Sequence, residues 1–342
     1  MIHRGWLPTA CLVLSACVAR AQAPPSYDFD WATITHAGNR AATQEEAPYL
    51  FPPFSTPELH LGSVPYEYRI SRTELTVEQH FEFVQAYAPF WKGNPGASEF
   101  IGVWISWNGS GYAIDPGYEK KAASMGWRTA ARYCNWLHNG KVNEPWAFED
   151  GAYDTSTFGT NPDGTLTDQP AHHPDARFWI PTHNEWAKAA HYDPNRYGEG
   201  LEGYWLYPDA GQEPLISGYP WEGGETDAGI EIKPGYTYLD VGSYPDVRSP
   251  WGLLDLSGGR REWCEDLTAN GLHRIYRGSG IFQPSPDVLD RVDSYSAWVP
   301  TSSGQGFRLA SQVPAPSACL VLPSLILLRR RSRSTFIERN FS

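Results

Sequence analysis

Thiols are scarce in this 342-residue chain: it has five cysteines, and only Cys134 and Cys264 lie in its body. The body therefore holds either one internal disulfide or two isolated buried thiols. Basic residues are in the minority, with 27 Lys and Arg against 39 Asp and Glu and a net charge of −12. Five arginines and one glutamate fall in residues 329–342, and two arginines fall in residues 1–21. Without these ends the stretch 22–328 stands near −18. So acidic a body excludes a phosphate-backbone partner, and no nucleic acid is expected. Also missing are a Gly-x-Ser-x-Gly elbow, a Gly-Lys-Ser/Thr phosphate loop, a His-Glu-x-x-His metal helix and any internal repeat. The common serine-hydrolase, nucleotide-binding, zinc-protease and solenoid readings fall with them.

Aromatics are abundant, at 14%, and 32 glycines and 29 prolines interrupt the chain throughout. A chain so often broken cannot build long helices or strands. Its core must come from large rings hung on short elements and loops, with each Trp or Tyr satisfying its polar tip locally. An irregular α+β fold with little regular secondary structure is expected. Three helices can be placed. "TVEQHFEFVQAYA" opens on a Thr76/Gln79 capping box with Val77, Phe81 and Val84 on one face. "GWRTAARYCNWLHNG" aligns Trp127, Ala131, Cys134 and Leu137 and stops at Gly140. "PTHNEWAKAA" starts at Pro181 with Thr182 as cap and Glu185 three residues on. "YEYRIS" and "HRIYRG" read as short strands.

The two ends read as addresses. Residues 1–21 have a basic start, an apolar run and small residues at Ala19 and Ala21, the pattern of an export signal peptide. A rival processing site is "LSAC", with Cys17 as a lipid acceptor. Near the C-terminus, "VPAPSACLVLPSLILLRRR" runs from Val313 into an apolar stretch of eleven residues, Ala318 to Leu328, short of the ~20 a spanning helix needs. Residues 313–333 resemble a PEP-CTERM sorting signal, with Ala315 where a Glu is usual, and residues 334–342 trail as a tail behind its basic cluster. The resemblance implies an exported protein sorted to the cell envelope, cell surface or extracellular matrix. Its sorting segment would meet the membrane before processing.

Between these ends, "YEYRISRTELTVEQHFEFV", "AARYCNWLHNG", "FWIPTHNEWAKAAHYDPN", "GLLDLSGGRREWCED", "IYRGSG" and "GFRLAS" occur in an order that resembles the formylglycine-generating enzyme, or sulfatase-modifying-factor, family. The match spans roughly residues 28–311 and implies one domain of irregular C-type-lectin-like α+β fold. Family oxidases hold copper on two cysteines just past the Arg-Gly-Gly-Ser block, as soft Cu(I) demands. The matching positions here are Gln283 and Val288, and neither supplies a thiolate. Copper is therefore not expected, no catalytic residue is assigned, and a binding or structural module is expected in place of an oxidase. Its aromatic-rich loops would suit a glycan or peptide ligand. A second reading keeps a protein-modifying oxidase with relocated ligands, in which Cys264 is the suspect.

The segment 255–262 resembles the family's calcium-wrapping turn. Mapped here, Asp255 and Glu262 would give side-chain oxygens, and Gly258 and Arg260 backbone carbonyls. Calcium takes six to eight oxygens at ~2.3–2.6 Å, which such a set can begin to supply. Gly259 stands where Asn is usual, and Arg260 and Arg261 offer the alternative of an arginine-stapled turn. Both readings make the segment a structural brace. Glu222, Glu225, Asp227 and Glu231 form a second acidic loop near a further family calcium site whose aspartate is replaced by Gly242; solvation is the expected role. His172 and His173 are expected in loop or capping roles, and Arg308 in a buried ion pair.

Overall fold

The computed structural model describes residues 23–49, 60–230, 238–281 and 286–314. The export segment, Glu231, Gln283 and the sorting segment from residue 315 onward lie outside the described residues. In chain order the elements are β1 (Trp31–Ile34), β2 (Tyr68–Ser71), α1 (Val77–Tyr87), α2 (Ser98–Ile101), β3 (Ile105–Trp107), β4 (Tyr112–Ile114), α3 (Trp127–His138) and α4 (Pro145–Glu149). Then follow β5 (Phe178–Trp179), α5 (His183–His191), β6 (Tyr192–Asp193), β7 (Gly203–Tyr204), β8 (Glu262–Leu267), β9 (Arg274–Arg277), α6 (Pro286–Leu289), β10 (Ser296–Trp298) and β11 (Ala310–Gln312). Strands are short and much of the chain is turn and loop, as the glycine and proline content requires.

The three expected helices form α1, α3 and α5. Thr76 and Gln79 close one capping box and Thr182 and Glu185 another, each satisfying two orphan N-terminal donors. In α1 the buried stripe is His80, Phe83, Val84 and Tyr87 together with Val77, while Phe81 is only half-buried. The expected face is rotated because Phe83 packs edge-on to both Trp136 and Phe148.

One antiparallel sheet, ordered β1-β2-β11-β5, joins the start and end of the domain: Ile70 pairs with Ala32 on one side and Ala310 on the other. This closure makes one body of the chain from residue 31 to residue 312. A second antiparallel sheet, ordered β10-β9-β8, carries a register shift between Trp263 and Leu267. Residues of both sheets meet in one hydrophobic core that includes several indoles. Trp127, Trp136, Trp186 and Trp263 are all fully buried. Their N–H groups are answered locally: Trp127 donates to the Cys264 carbonyl at 3.0 Å and Trp263 to the Met125 carbonyl at 2.9 Å. Cys134 and Cys264 are both buried and both free, so of the two arrangements open in the sequence the isolated thiols are realised. Among the described residues no helix is long and apolar enough to cross a membrane.

Candidate functional site

The turn 255–262 is a crossing point of buried charge. Glu262 opens β8 and is almost wholly buried. Its Oε1 accepts from Arg308 Nη2 at 2.5 Å, and its Oε2 accepts from Arg308 Nε at 2.6 Å and from the Trp186 indole at 2.5 Å. Arg308 also donates to the carbonyls of Ser71, Arg72 and Leu254, which ties the turn to the β2 end of the first sheet. The expected buried ion pair of Arg308 is therefore present, and Glu262 is its partner.

Neither Arg260 nor Arg261 provides this staple. The Arg260 backbone N–H donates to Glu74 Oε1 at 2.8 Å, and the Arg261 guanidinium lies over the Tyr276 ring and donates to its hydroxyl at 3.0 Å. The calcium set Asp255, Gly258, Arg260 and Glu262 meets the same fact. Both oxygens of Glu262 already face a guanidinium, whose positive charge takes the place a cation would occupy. Asp255 sits at φ 55° and turns its Oδ2 to the Gly242 N–H at 2.6 Å. Among the described residues no group of three or more His, Cys, Asp or Glu is disposed to hold a metal. Of the four positions, Glu262 is engaged by Arg308 and Asp255 by the Gly242 N–H, while Asp255 also lines a small cavity with Glu74, Asp227 and Asp240.

Two carboxylates that the sequence does not place at the turn complete it. Asp227, expected in a solvated loop, is buried and accepts from the Gly259 N–H at 2.7 Å. Glu74, on the approach to α1, lies on the other side. A Cβ on Gly258 would stand 2.2 Å from Asp227 Oδ1, and one on Gly259 2.2 Å from Glu74 Oε2. Any larger residue would have to displace one of these carboxylates, and φ of 91° and 52° also favours glycine. Burial pushes Asp255 up to about 7 and Asp227 up to about 6, and raises Glu74 well above the ordinary carboxylate range. Glu225 accepts from the Ile216 N–H, and Glu222 is exposed.

The turn is linked to the Val288 position. Ser257 donates to Asp290 at 2.5 Å, and Ser279 donates to it from both backbone and side chain, at 2.7 and 2.9 Å. Asp290 thereby anchors α6. Val288, on that helix, is exposed and lines a cleft of about 670 Å³ together with Tyr49, Asp287, Arg291 and Tyr295. Arg291 lies 4.0 Å over the Tyr49 ring and is held by Asp293 through two hydrogen bonds of 2.8 and 2.9 Å. Asp293 also accepts from the Tyr49 N–H at 2.8 Å. The cleft follows β10, the edge strand of its sheet, with Ser296 and Ala297 on its wall.

The remaining candidates are scattered. Cys264 lies inside β8, fully buried, and burial pushes its thiol well up, which leaves it protonated and unreactive. His173 caps a turn by accepting from the Asp175 N–H at 3.2 Å. His172 pairs with Glu265 on a different face of the domain. His183 is buried at the start of α5, against the Tyr295 ring. Asp227 and Glu74 lie far in sequence from the turn they complete, and only the pair of adjacent glycines hinted that something presses on it.

The architecture is that of a C-type-lectin-like α+β domain with little regular secondary structure. A family model described as "Sulfatase-modifying factor enzyme 1-like domain" matches residues 32–313, and the chain belongs to that family. Among solved structures it is similar to Treponema denticola variable protein 1, with 19% identity, a TM-score of 0.50, and 83% of this chain and 95% of that one covered. CarF matches at 18% identity and TM-score 0.48, covering 83% of this chain and 98% of that one. PvdO from Pseudomonas aeruginosa matches at 16% identity and TM-score 0.44, with 83% and 92% covered. At these identities the likeness is one of fold. No curated protein matches the chain.

Proposed function

We propose that this chain is an exported, surface-sorted member of its family that lacks formylglycine-generating oxidase activity and serves as a binding module of the cell envelope or extracellular matrix. The observation that carries the reading is Val288. The residue that the family resemblance sets near a copper cysteine is an exposed aliphatic side chain on a cleft wall, which offers a ligand apolar contact and a metal nothing. The other aligned position, Gln283, is an amide.

The ligand that suits this cleft best is an extended peptide. An edge strand presents backbone donors and acceptors that a peptide can pair with, while side-chain pockets supply selectivity. Here β10 provides the edge. Tyr49, Arg291 and Tyr295 provide rigid rings and a guanidinium already fixed by Asp293, so little ordering entropy is lost on binding. The turn at Asp255 supports the cleft through Asp290, and Arg308 braces it in place of a calcium ion.

Selection of the full-length protein against a random peptide library tests this. Enriched peptides are expected to lose affinity with Tyr295→Ala and with Val288→Asp. Peptides that bind both variants as well as the parent, or no enrichment at all, would refute the cleft assignment. The rival reading, an oxidase with relocated ligands, needs a reactive thiol, and burial of both Cys134 and Cys264 speaks against it.

A further inference from the structure

A second cleft, of about 520 Å³, opens on the face where β11 meets β5 and is lined by Tyr66, Glu67, His172, Pro174, Trp179 and Gln312. It falls within the range of small-molecule sites, roughly 300–1,000 Å³. None of these residues belongs to the turn at Asp255 or to the cleft at Tyr295.

The polar anchor is His172, and it is built in. Its ring lies flat on Trp179, with centroids 4.6 Å apart and planes 14° from parallel. Its Nδ1 and its backbone N–H both meet Glu265 Oε1, at 2.8 and 2.7 Å, and Tyr153 donates to the same oxygen at 2.8 Å. Nδ1 is thereby taken, and Nε2 is the nitrogen the ring has left to offer. Trp179 is itself held by Glu185, which also accepts from the Tyr66 hydroxyl at 3.0 Å. So firm a mounting for one imidazole exceeds what a solvated loop needs.

The lining chooses among ligand classes. Glu67 at the rim repels an anion. The Glu265 contact favours the charged form of His172, which repels a cation. What remains is a mixed set of partners: the His172 ring donates, the Glu67 carboxylate accepts, and the Gln312 amide does both. Beside them stands the Tyr66 ring, exposed to 41%, as a flat apolar surface. Hydroxyls beside an apolar ring face match that combination. We propose that this cleft is a binding site for a neutral saccharide, with Tyr66 as the stacking platform and His172, oriented by Glu265, as the hydrogen-bonding anchor.

The proposal does not depend on the peptide reading. Saturation-transfer and nitrogen-15 histidine NMR on the full-length protein test it with glucose, galactose, mannose and N-acetylglucosamine as probes, and with glucuronate as the charged comparator. At least one neutral sugar is expected to saturate and to shift the His172 Nε2 resonance. Tyr66→Phe should retain binding, and Tyr66→Ala should weaken it about ten-fold. Both substitutions remove the Tyr66 hydroxyl from Glu185 and leave the His172–Glu265 pair in place, so Tyr66→Phe controls for the lost hydrogen bond and Tyr66→Ala reports the lost ring. Failure of all four neutral sugars, preference for glucuronate, or unchanged affinity in Tyr66→Ala would overturn the proposal.

Discussion

Arg308 grips both carboxylate oxygens of Glu262, at 2.5 and 2.6 Å, with neither side chain reaching solvent. The pair joins the closing segment of the chain to the turn that opens β8. Removing one partner from such a pair leaves an uncompensated buried charge, at a cost of about 3–5 kcal/mol. Glu262→Gln and Arg308→Met are each expected to lose about that much in urea denaturation. The double variant should be much less unstable than the sum of the two. Additive losses would show that the contact is not an energetic unit.

Gly259 gives a second test, because the family's usual residue there is Asn. Asn tolerates the local φ of 52°, so backbone strain alone would make the exchange mild. The crowding against Glu74 says otherwise. Gly259→Asn is expected to destabilise by about 1–3 kcal/mol, with rescue when Glu74→Ala is added. Equal stability of Gly259→Asn and the parent would mean that Glu74 does not press on this turn.

The buried carboxylates set a pH dependence. Burial pushes Asp255 and Asp290 up to about 7 and Asp227 up to about 6, against about 3.9 in an unfolded chain. The folded state therefore holds more protons across that window, and the stability present at acid pH is lost as pH rises toward 7. Glu46 works in the opposite sense. Burial raises it, but its hydrogen bonds, led by Arg40, outweigh burial and draw it down to about 2, so its contribution is lost only as pH falls below about 4.5. Burial draws His80, His183 and His191 below the ordinary histidine range, and they work in the opposite sense below about pH 6.5, so the parent's unfolding free energy between pH 5 and pH 8 is read against that of a carboxylate variant. Asp290→Asn should flatten the slope. An Asp290→Asn variant with the same pH dependence as the parent would contradict the Asp290 assignment.

Local signals in the sequence translated well. Thr76, Gln79, Thr182 and Glu185 announced two helix starts through capping geometry, which depends on residues three apart. The aromatic and glycine content announced an irregular fold with an indole core. The partners of the turn at Asp255 were not legible in the same way. Arg260 and Arg261 adjoin the carboxylates in sequence, yet Arg308 takes Glu262 because the chain's closing segment returns beside β2. Asp227 looked solvated in an acidic loop and is buried because Gly258 leaves room for it and the Gly259 N–H pairs with it. The mounting of His172 depends on Glu265, 93 residues away, and spacing alone does not reveal such a contact.

With Gln283 and Val288 in those places, the proposed function denies the chain the soft ligand pair that family oxidation requires. It is tested most directly by titrating the full-length protein with Cu(I) against a competing chelator while following oxygen uptake on a cysteine-containing peptide. No tight stoichiometric copper and no peptide-dependent oxygen consumption are expected. Tight Cu(I) binding coupled to conversion of the peptide cysteine to formylglycine would contradict the account.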